Sequence, residues 1–131
     1  MGSHSPAVLR LLLIEDVQLT ADVTLRQLVR FGFSRVDHAE SGEDALILMQ
    51  RHTYDIILLD WNLPGMSGLE LLFLMRASRR YATTPVLMVS GRSDRADVHQ
   101  AISAGATDFL AKPAPPSALE AKLHGFLPAF A

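Results

Sequence analysis

Two kinds of hydrophobic pattern alternate along this chain. Short runs of consecutive apolar residues are typical of strands that are buried on both faces, as in a parallel sheet. Between them lie segments in which apolar residues recur every three or four positions, the period of an amphipathic helix. The pattern predicts strands at 8–14, 35–39, 56–60, 84–90 and 108–111, with the second at an edge of the sheet, and a helix after each strand.

Polar residues and glycine mark where the predicted helices begin and end. The first helix is expected from about Gln18 to Arg30, with Gly32 in the position just after its C-terminus. The fourth helix is expected to begin near Asp94. Capping boxes, in which a serine is followed three residues later by an acidic residue, predict the starts of the other helices at Ser41, Ser67 and Ser117.

The third predicted helix is apolar on more than one face. One apolar face carries Leu69, Leu72 and Phe73. Its other faces are also apolar, because they carry Leu71, Leu74 and Met75. Such a helix is either deeply buried or presents a contact surface, and the sequence leaves both interpretations open.

Five strand–helix units in alternation predict an α/β fold with a five-stranded parallel sheet and helices on both faces. The common doubly wound order for five strands is 2-1-3-4-5, with its topological switch point between strands 1 and 3. Glu15 and Asp16 follow strand 1, and Asp60 ends strand 3. Because ligands bind at the carboxyl ends of the strands at a switch point, we expect these three carboxylates to meet in one crevice.

Three carboxylates in one crevice repel each other, so they either raise a pKa or recruit a cation. All-oxygen ligation without histidine or cysteine indicates a hard divalent ion, Mg²⁺ or Mn²⁺. Because Mg²⁺ usually takes one or two carboxylates together with waters and phosphate oxygens, the predicted site leaves room for a phosphoryl group.

Ser90 ends strand 4 and Lys112 follows strand 5, so both reach the same edge of the sheet. A lysine ammonium can neutralise phosphate oxygens, and a serine hydroxyl can donate a hydrogen bond to one. An aspartate can itself accept a phosphoryl group as an aspartyl phosphate. Each residue taken singly has an ordinary explanation as a cap, a turn or a surface side chain, but their placement together at strand ends points to phosphoryl transfer.

Composition restricts the class of protein. Apolar residues make up 49% of the chain, which is enough for a hydrophobic core, and the net charge of −2 argues against direct nucleic-acid binding. The absence of cysteine excludes disulfides and thiolate metal sites and is compatible with the cytoplasm. No apolar run approaches the length of a membrane span.

We expect residues 1–6 to be a tag remnant and residues 7–131 to form one domain.

From about Val8 to Leu127 the chain resembles the receiver domain of two-component response regulators, the chemotaxis-type receiver with a flavodoxin-like fold. The resemblance rests on Glu15-Asp16, Ser41-Gly42-Glu43-Asp44-Ala45-Leu46, Asp60 with Leu63-Pro64-Gly65-Met66-Ser67-Gly68, Ser90, Gly105-Ala106 and Lys112-Pro113. It implies that Asp60 is the phosphoacceptor and that Lys112 holds the phosphoryl group.

The same resemblance implies the remaining site residues. Asp16, Asp60 and the backbone carbonyl of Asn62 would bind Mg²⁺, and Glu15 would act through water. Ser90 and Phe109 match the family's switch pair, and the Lys112–Pro113 bond matches one that family members hold in the cis form. Phe109 has no hydroxyl, unlike the tyrosine often found at this position, so its part in a switch would depend on packing.

The implied function is a phosphorylation-dependent signalling switch. A histidine kinase or phosphotransfer protein would donate a phosphoryl group from phosphohistidine to Asp60, and the domain would catalyse the transfer and its own dephosphorylation without being a conventional enzyme. Ser90 would move toward the phosphoryl group and Phe109 would turn inward. A downstream protein or effector domain would then read the face formed by helix 4, strand 5 and helix 5, which relatives also use to form homodimers.

Three other functions compete with this one. A phosphatase of the haloacid-dehalogenase type needs a second acid two residues after its nucleophile, where this chain has Asn62. A flavin-binding module needs a phosphate-cradling loop after strand 1, where Glu15 and Asp16 would repel phosphate. A receiver-like adaptor that works without phosphorylation stays open, because a partner could silence intact chemistry.

Overall fold

The computed structural model describes residues 5–130, which form five parallel strands and five α-helices in alternation. The strands are β1 (Arg10–Ile14), β2 (Arg35–Ala39), β3 (Ile56–Asp60), β4 (Val86–Ser90) and β5 (Asp108–Ala111). The helices are α1 (Gln18–Arg30), α2 (Gly42–Arg51), α3 (Gly68–Ala77), α4 (Arg95–Ser103) and α5 (Pro116–His124). Short 3₁₀ turns lie at Pro6–Val8 and Leu127–Phe130.

The sheet has the order β2-β1-β3-β4-β5, and neighbouring strands are parallel. The predicted fold class, strand order and edge position of β2 are therefore confirmed. Leu59 pairs with both Ile14 and Met88, and Ser90 pairs with Ala111. This register aligns the carboxyl ends of β1, β3, β4 and β5 along one edge of the sheet.

The core consists of two hydrophobic layers, one on each side of the sheet. On one side, Ile57 and Leu59 pack with buried residues of α2, α3 and α4. On the other side, Ile56 and Leu58 pack with buried residues of α1 and α5. Because successive strand residues point to opposite faces, all five residues of β3 are buried. Burial on both faces explains the uninterrupted apolar run that precedes Asp60.

Three of the four helix starts that are predicted from a capping side chain are confirmed. Ser41 accepts a hydrogen bond from the Asp44 N–H, and Ser67 accepts one from the Glu70 N–H. Asp94 caps α4 in the same way. Gly32 has a φ of +99°, which confirms its predicted role after α1.

The predicted start of α5 is wrong. Ser117 lies inside the helix, which begins at Pro116 with Pro115 as its N-cap residue and without a side-chain cap. Proline is well suited to the first helical position because it has no N–H to satisfy and its φ already fits a helix. The two consecutive prolines, and not the capping box, therefore set the start of α5.

Three other predictions need correction. The first strand begins at Arg10 and not at position 8, because Pro6–Val8 form a 3₁₀ turn capped by Ser5. The fourth strand begins at Val86 and not at Thr84, because Pro85 has no N–H to donate to a neighbouring strand. The sequence pattern places Phe73 on one apolar face with Leu69 and Leu72, but Phe73 is exposed. The buried residues of α3 that form its core face include Leu71, Leu72 and Met75. Of the expected tag remnant at 1–6, residues 1–4 lie outside the described residues.

Arg76 fixes the C-terminal half of α3. Its Nε donates to the Gly105 carbonyl at 2.9 Å, and its Nη1 donates to the Tyr81 carbonyl at 2.7 Å. Burial lowers the pKa of its guanidinium. A half-buried cation that satisfies backbone carbonyls in this way holds α3 against the loops that precede β4 and β5.

The N-terminus of α3 lies directly against the end of β3. The Gly68 N–H donates to the Trp61 carbonyl at 2.8 Å. A Cβ at position 68 would lie 2.2 Å from the Asp60 carbonyl oxygen and 2.8 Å from the Trp61 Cα. Glycine is therefore needed here for close approach of two backbones, and this contact fixes the loop that follows Asp60.

We expect Gly68→Ala to lower the free energy of unfolding by about 2 kcal/mol, because overpacking against a backbone outweighs the helix preference of alanine. Equilibrium unfolding in urea measures the change. Gly91→Ala is the matched control, since a Cβ at position 91 meets nothing within 4 Å, and it should shift stability by no more than about 0.5 kcal/mol. Equal stability of the two variants would contradict the proposed close approach.

Candidate functional site

The structure brings the three predicted carboxylates together at the carboxyl ends of β1 and β3. One oxygen from each of Glu15, Asp16 and Asp60 lies within 4.8 Å of the other two. Glu15 and Asp60 are buried, with 3% and 8% of their surface exposed, whereas Asp16 is exposed. The crevice therefore has two acids in its wall and one at its solvent side.

Backbone hydrogen bonds hold the two buried acids in place. The Val17 N–H donates to Glu15 Oε2 at 3.2 Å, and the Asn62 N–H donates to Asp60 Oδ1 at 3.0 Å. Both acids receive these bonds from the residue two positions later, at the turn that ends each strand. Each carboxylate keeps a second oxygen that points to another partner.

That partner is Lys112, which follows β5. Its Nζ donates to Glu15 Oε1 at 2.8 Å and to Asp60 Oδ2 at 2.9 Å. The Lys112 N–H donates to the Ser90 carbonyl at 2.8 Å, and the Lys112–Pro113 bond is cis, as the resemblance to receiver domains implies. The ammonium thus bridges the acids of the two central strands.

The surroundings of Lys112 also set its protonation. Burial lowers the pKa of an ammonium, but hydrogen bonds to Glu15 and Asp60 and the charges of these acids outweigh burial. The net result is a pKa of Lys112 above its ordinary value. Lys112 is therefore positively charged at neutral pH and remains available to neutralise an anionic group.

The donor set of the crevice fits a divalent cation. Three carboxyl groups face a single ammonium, so negative charge is in excess when the carboxyls are ionised. Their oxygens are hard ligands of the kind that Mg²⁺ and Mn²⁺ prefer. Among residues 5–130, the cluster consists of carboxylates alone and includes no histidine.

Ser90 lies at the carboxyl end of β4, and Phe109 lies within β5, where it pairs with Met88. Ser90 is fully buried, and its Oγ accepts a hydrogen bond from the Arg92 N–H at 2.9 Å. Phe109 has 8% of its surface exposed and packs in the core layer of α3 and α4. Since Phe109 is already buried, the predicted inward turn would be a small change of packing, and it stays a prediction.

Two residues beside Asp60 form a contact that the sequence did not predict. The Arg92 guanidinium carbon lies 5.1 Å from the centre of the Trp61 ring, within the range of a cation–π interaction. Trp61 is buried, with 4% of its surface exposed. Sequence patterns carry no signal for the stacking of Arg92 on Trp61.

A cavity of about 610 Å³ opens beside the crevice, between α1 and the ends of the strands. Glu15, Asp60 and Lys112 form its polar side. Leu19 and Val23 of α1 form part of its apolar side, and both are exposed. The sequence did not predict this cavity, because the outward side chains of α1 were not part of any recognised motif.

Comparison with known proteins agrees with this geometry. A family model described as the response regulator receiver domain matches residues 11–124. A chemotaxis protein CheY homolog of Campylobacter jejuni is 32% identical over 120 residues, which cover 91% of this chain and 92% of the relative.

Solved structures show the same fold. The chemotaxis response regulator CheY4 of Vibrio cholerae has a TM-score of 0.85 at 28% identity, covering 91% of this chain and 98% of that one. The receiver domain of the sensor histidine kinase PA1611 from Pseudomonas aeruginosa has a TM-score of 0.83 at 28% identity, covering 92% and 98%. That structure is described with a magnesium ion coordinated in its active-site cleft.

Within residues 5–130, no helix is both long enough and apolar enough to cross a membrane. The matched family model spans most of the chain, and the relatives are covered almost over their full length. The chain therefore belongs to the response regulator receiver domains, chemotaxis-type receivers that act in phosphorylation-regulated signalling together with histidine kinases and downstream targets.

Proposed function

We propose that Asp60 is the phosphoacceptor of this receiver domain. The observation that carries the proposal is the bridge from Lys112 to both Glu15 and Asp60, with Asp16 in the same cluster. An acid that lies beside a fixed cation at the opening of a cavity can react with a phosphoryl donor while the developing charge is neutralised.

The donor would be a phosphohistidine of a histidine kinase or a phosphotransfer protein. An Asp60 carboxylate oxygen forms a bond to phosphorus while the bond from phosphorus to the imidazole nitrogen breaks. The electron pair of that bond stays on the imidazole, which later takes a proton from water. Lys112 moves its hydrogen bonds from Asp60 to the phosphoryl oxygens, so that it stabilises both the transition state and the product.

A divalent cation fits the acidic side of the same crevice. Asp16 and Asp60 would hold Mg²⁺ or Mn²⁺ directly together with the Asn62 carbonyl, and Glu15 would act through a water molecule. When bound, the cation would neutralise the oxygens of the transferred group. The excess of carboxyl groups over ammonium groups in the cluster supports this assignment.

Phosphorylation would then change a surface that another protein reads. The Ser90 hydroxyl is fully buried at the end of β4 and can exchange its bond with the Arg92 N–H for one with a phosphoryl oxygen. Phe109 would repack behind it, and the change would reach the face of α4, β5 and α5. The downstream partner would be a protein or an effector domain, which is consistent with a cytoplasmic signalling role.

The reaction would be single-turnover self-modification and subsequent hydrolysis, so the chain would not be an enzyme in the usual sense. The alternative is a receiver-like adaptor that works without phosphorylation, and the experiments below distinguish it from a phosphorylated receiver. The phosphatase alternative requires an acidic side chain at position 62. Asn62 has no acidic group, and its backbone N–H donates to Asp60 Oδ1.

We expect wild-type protein to gain the mass of one phosphoryl group when it is incubated with phosphoramidate or acetyl phosphate and Mg²⁺, because Asp60 lies at the cavity that a small donor can enter. Hydroxylamine should release the phosphoryl group as phosphate and leave a hydroxamate at Asp60, as it does with acyl phosphates. Intact-mass spectrometry measures both steps, and Asp60→Asn should gain no mass.

Asp94→Asn is the matched control, because asparagine can keep the N-cap bond that Asp94 makes to the Asp97 N–H. It should be modified like wild type. A wild-type protein that is never modified by either donor would favour the adaptor.

We expect Lys112→Met to have opposite effects on cation binding and phosphorylation. Removal of the ammonium leaves three carboxyl groups without a neutralising charge, so Mg²⁺ should bind roughly three- to tenfold more tightly. The same loss should slow phosphorylation on the order of a hundredfold, because a fixed cation no longer stabilises the transition state.

Calorimetric titration with Mg²⁺ and the rate of mass gain with acetyl phosphate check the two effects of Lys112→Met. Lys122→Met is the control, since Lys122 pairs with Asp108 away from the cluster, and it should change neither quantity. Weaker Mg²⁺ binding by Lys112→Met would contradict the proposed competition between ammonium and cation.

A further inference from the structure

The outward surface of α3 is apolar, although nothing in the described part of the chain covers it. Phe73 and Leu74 have 66% and 48% of their surface exposed, and Ala77 is also exposed. Together with Glu70 these residues follow the spacing i, i+3, i+4, i+7, which places them on one side of a helix. α3 therefore has an inner apolar face for the core and an outer apolar face for another contact.

The phosphorylation site does not account for this surface. Leu19 and Val23 of α1, which are also exposed, line the cavity beside Asp60, but no residue of α3 does. Within the described residues, the face of α4, β5 and α5 has a single large exposed hydrophobic side chain, Ile102. Among residues 5–130, the exposed aromatic side chain is Phe73, and it lies on α3 and not on that face.

A groove of about 320 Å³ lies beside the outer face, between α2 and α3. Its buried lining includes Met49, Met75 and Tyr81, and Leu74 forms part of its edge. This volume is near the lower limit of small-molecule pockets, which is enough space for one aromatic side chain. A protruding Phe73 and a groove that can receive such a ring thus lie on the same side of the domain.

Charge is distributed unequally along the same surface. The outer stripe begins at Glu70, which is exposed in the first turn of α3. It ends next to Arg79, which is exposed just after the helix, and Arg51 ends α2. Among residues 5–130, neither arginine has a carboxylate within 4.0 Å, and Glu70 has no basic partner at that distance.

Helix dipoles favour acids at N-termini and bases at C-termini, so they explain the signs of these charges. They do not explain the exposed apolar residues between the charges. A surface with an acidic end, an apolar centre and a basic end is complementary to itself when a two-fold axis passes through the centre.

We propose that two copies of this chain associate through α3, with the two α3 helices antiparallel about a two-fold axis near Leu74. Phe73 of each copy enters the α2–α3 groove of the other copy. Glu70 of one copy faces Arg79 of its partner, and the same pair forms again on the other side of the axis. The contact uses apolar burial for affinity and the charged ends for register.

The dimensions of α3 indicate a weak dimer. Its ten residues span about 15 Å. One face of a helix of this length buries less than the roughly 800 Å² that each partner contributes to a standard interface. The flank of α2 around the groove must therefore contribute. We expect a dimer that forms at high protein concentration and dissociates on dilution. Its formation does not depend on the proposed chemistry of Asp60, so Asp60→Asn should dimerise like wild type.

Single-cysteine cross-linking tests the position of the axis, and the absence of cysteine from the natural sequence makes the experiment simple. Leu74→Cys should form a disulfide-linked dimer under mild oxidation, because the two copies of this residue meet near the axis. Ile102→Cys on α4 and Val29→Cys on α1 are the controls at similarly exposed sites, and they should stay monomeric. Cross-linking through Ile102 instead of Leu74 would place the dimer on the other face and overturn the proposal.

Sedimentation equilibrium tests the contacts. Phe73→Gln should weaken self-association at least tenfold, whereas Val29→Gln, which alters a side chain with 67% of its surface exposed, should leave it unchanged. Both substitutions affect exposed side chains, so thermal unfolding should show that both variants stay folded.

A charge exchange tests the register of the two helices. Glu70→Arg and Arg79→Glu should each weaken the dimer, because each places like charges opposite one another. The double variant should restore association, since a two-fold axis then pairs the exchanged charges. Wild-type protein that stays monomeric at millimolar concentration, or a double variant weaker than both single variants, would show that α3 does not pair in this way.

Discussion

The bridge from the Lys112 ammonium to the carboxylates of Glu15 and Asp60 is the interaction on which the site depends. It joins residues that are 97 and 52 positions apart in the chain. Only a sheet in which β1 and β3 are adjacent, with β5 near enough for a lysine to reach them, can form it. The doubly wound strand order is thus the physical condition for the chemistry, and the two buried core layers stabilise that order.

Much of the fold and of the site could be predicted, because both depend on local patterns. Apolar runs that end in a polar residue located β3 and β4 and also Asp60 and Ser90, and parallel topology then brought the strand ends together. The outer face of α3 could not be predicted, since a helix with leucines on every side gives no hydrophobic direction. The predicted start of α5 is wrong because the serine capping motif is a weaker signal here than the adjacent Pro115 and Pro116.

Contacts between distant segments are the features that sequence patterns miss. The stacking of Arg92 on Trp61, the cavity beside α1 and the bonds of Arg76 to the Tyr81 and Gly105 carbonyls each depend on side-chain positions that only the packed fold defines. α3 shows why such contacts matter for function. Its first residue, Gly68, lies against the Asp60 backbone, so the helix that carries the outward apolar face is joined directly to the proposed phosphorylation site.

The most direct test of the proposed site is the fluorescence of Trp61 during titration with Mg²⁺ and then with beryllofluoride, which imitates a phosphoryl group. Trp61 is the single tryptophan of the chain, follows Asp60 directly and lies beneath Arg92. A saturable response to Mg²⁺, followed by a second response to beryllofluoride that requires both Mg²⁺ and the Asp60 carboxylate, is the predicted result. A wild-type protein whose emission responds to neither addition, or an Asp60→Asn variant that responds like wild type to beryllofluoride, would contradict the account.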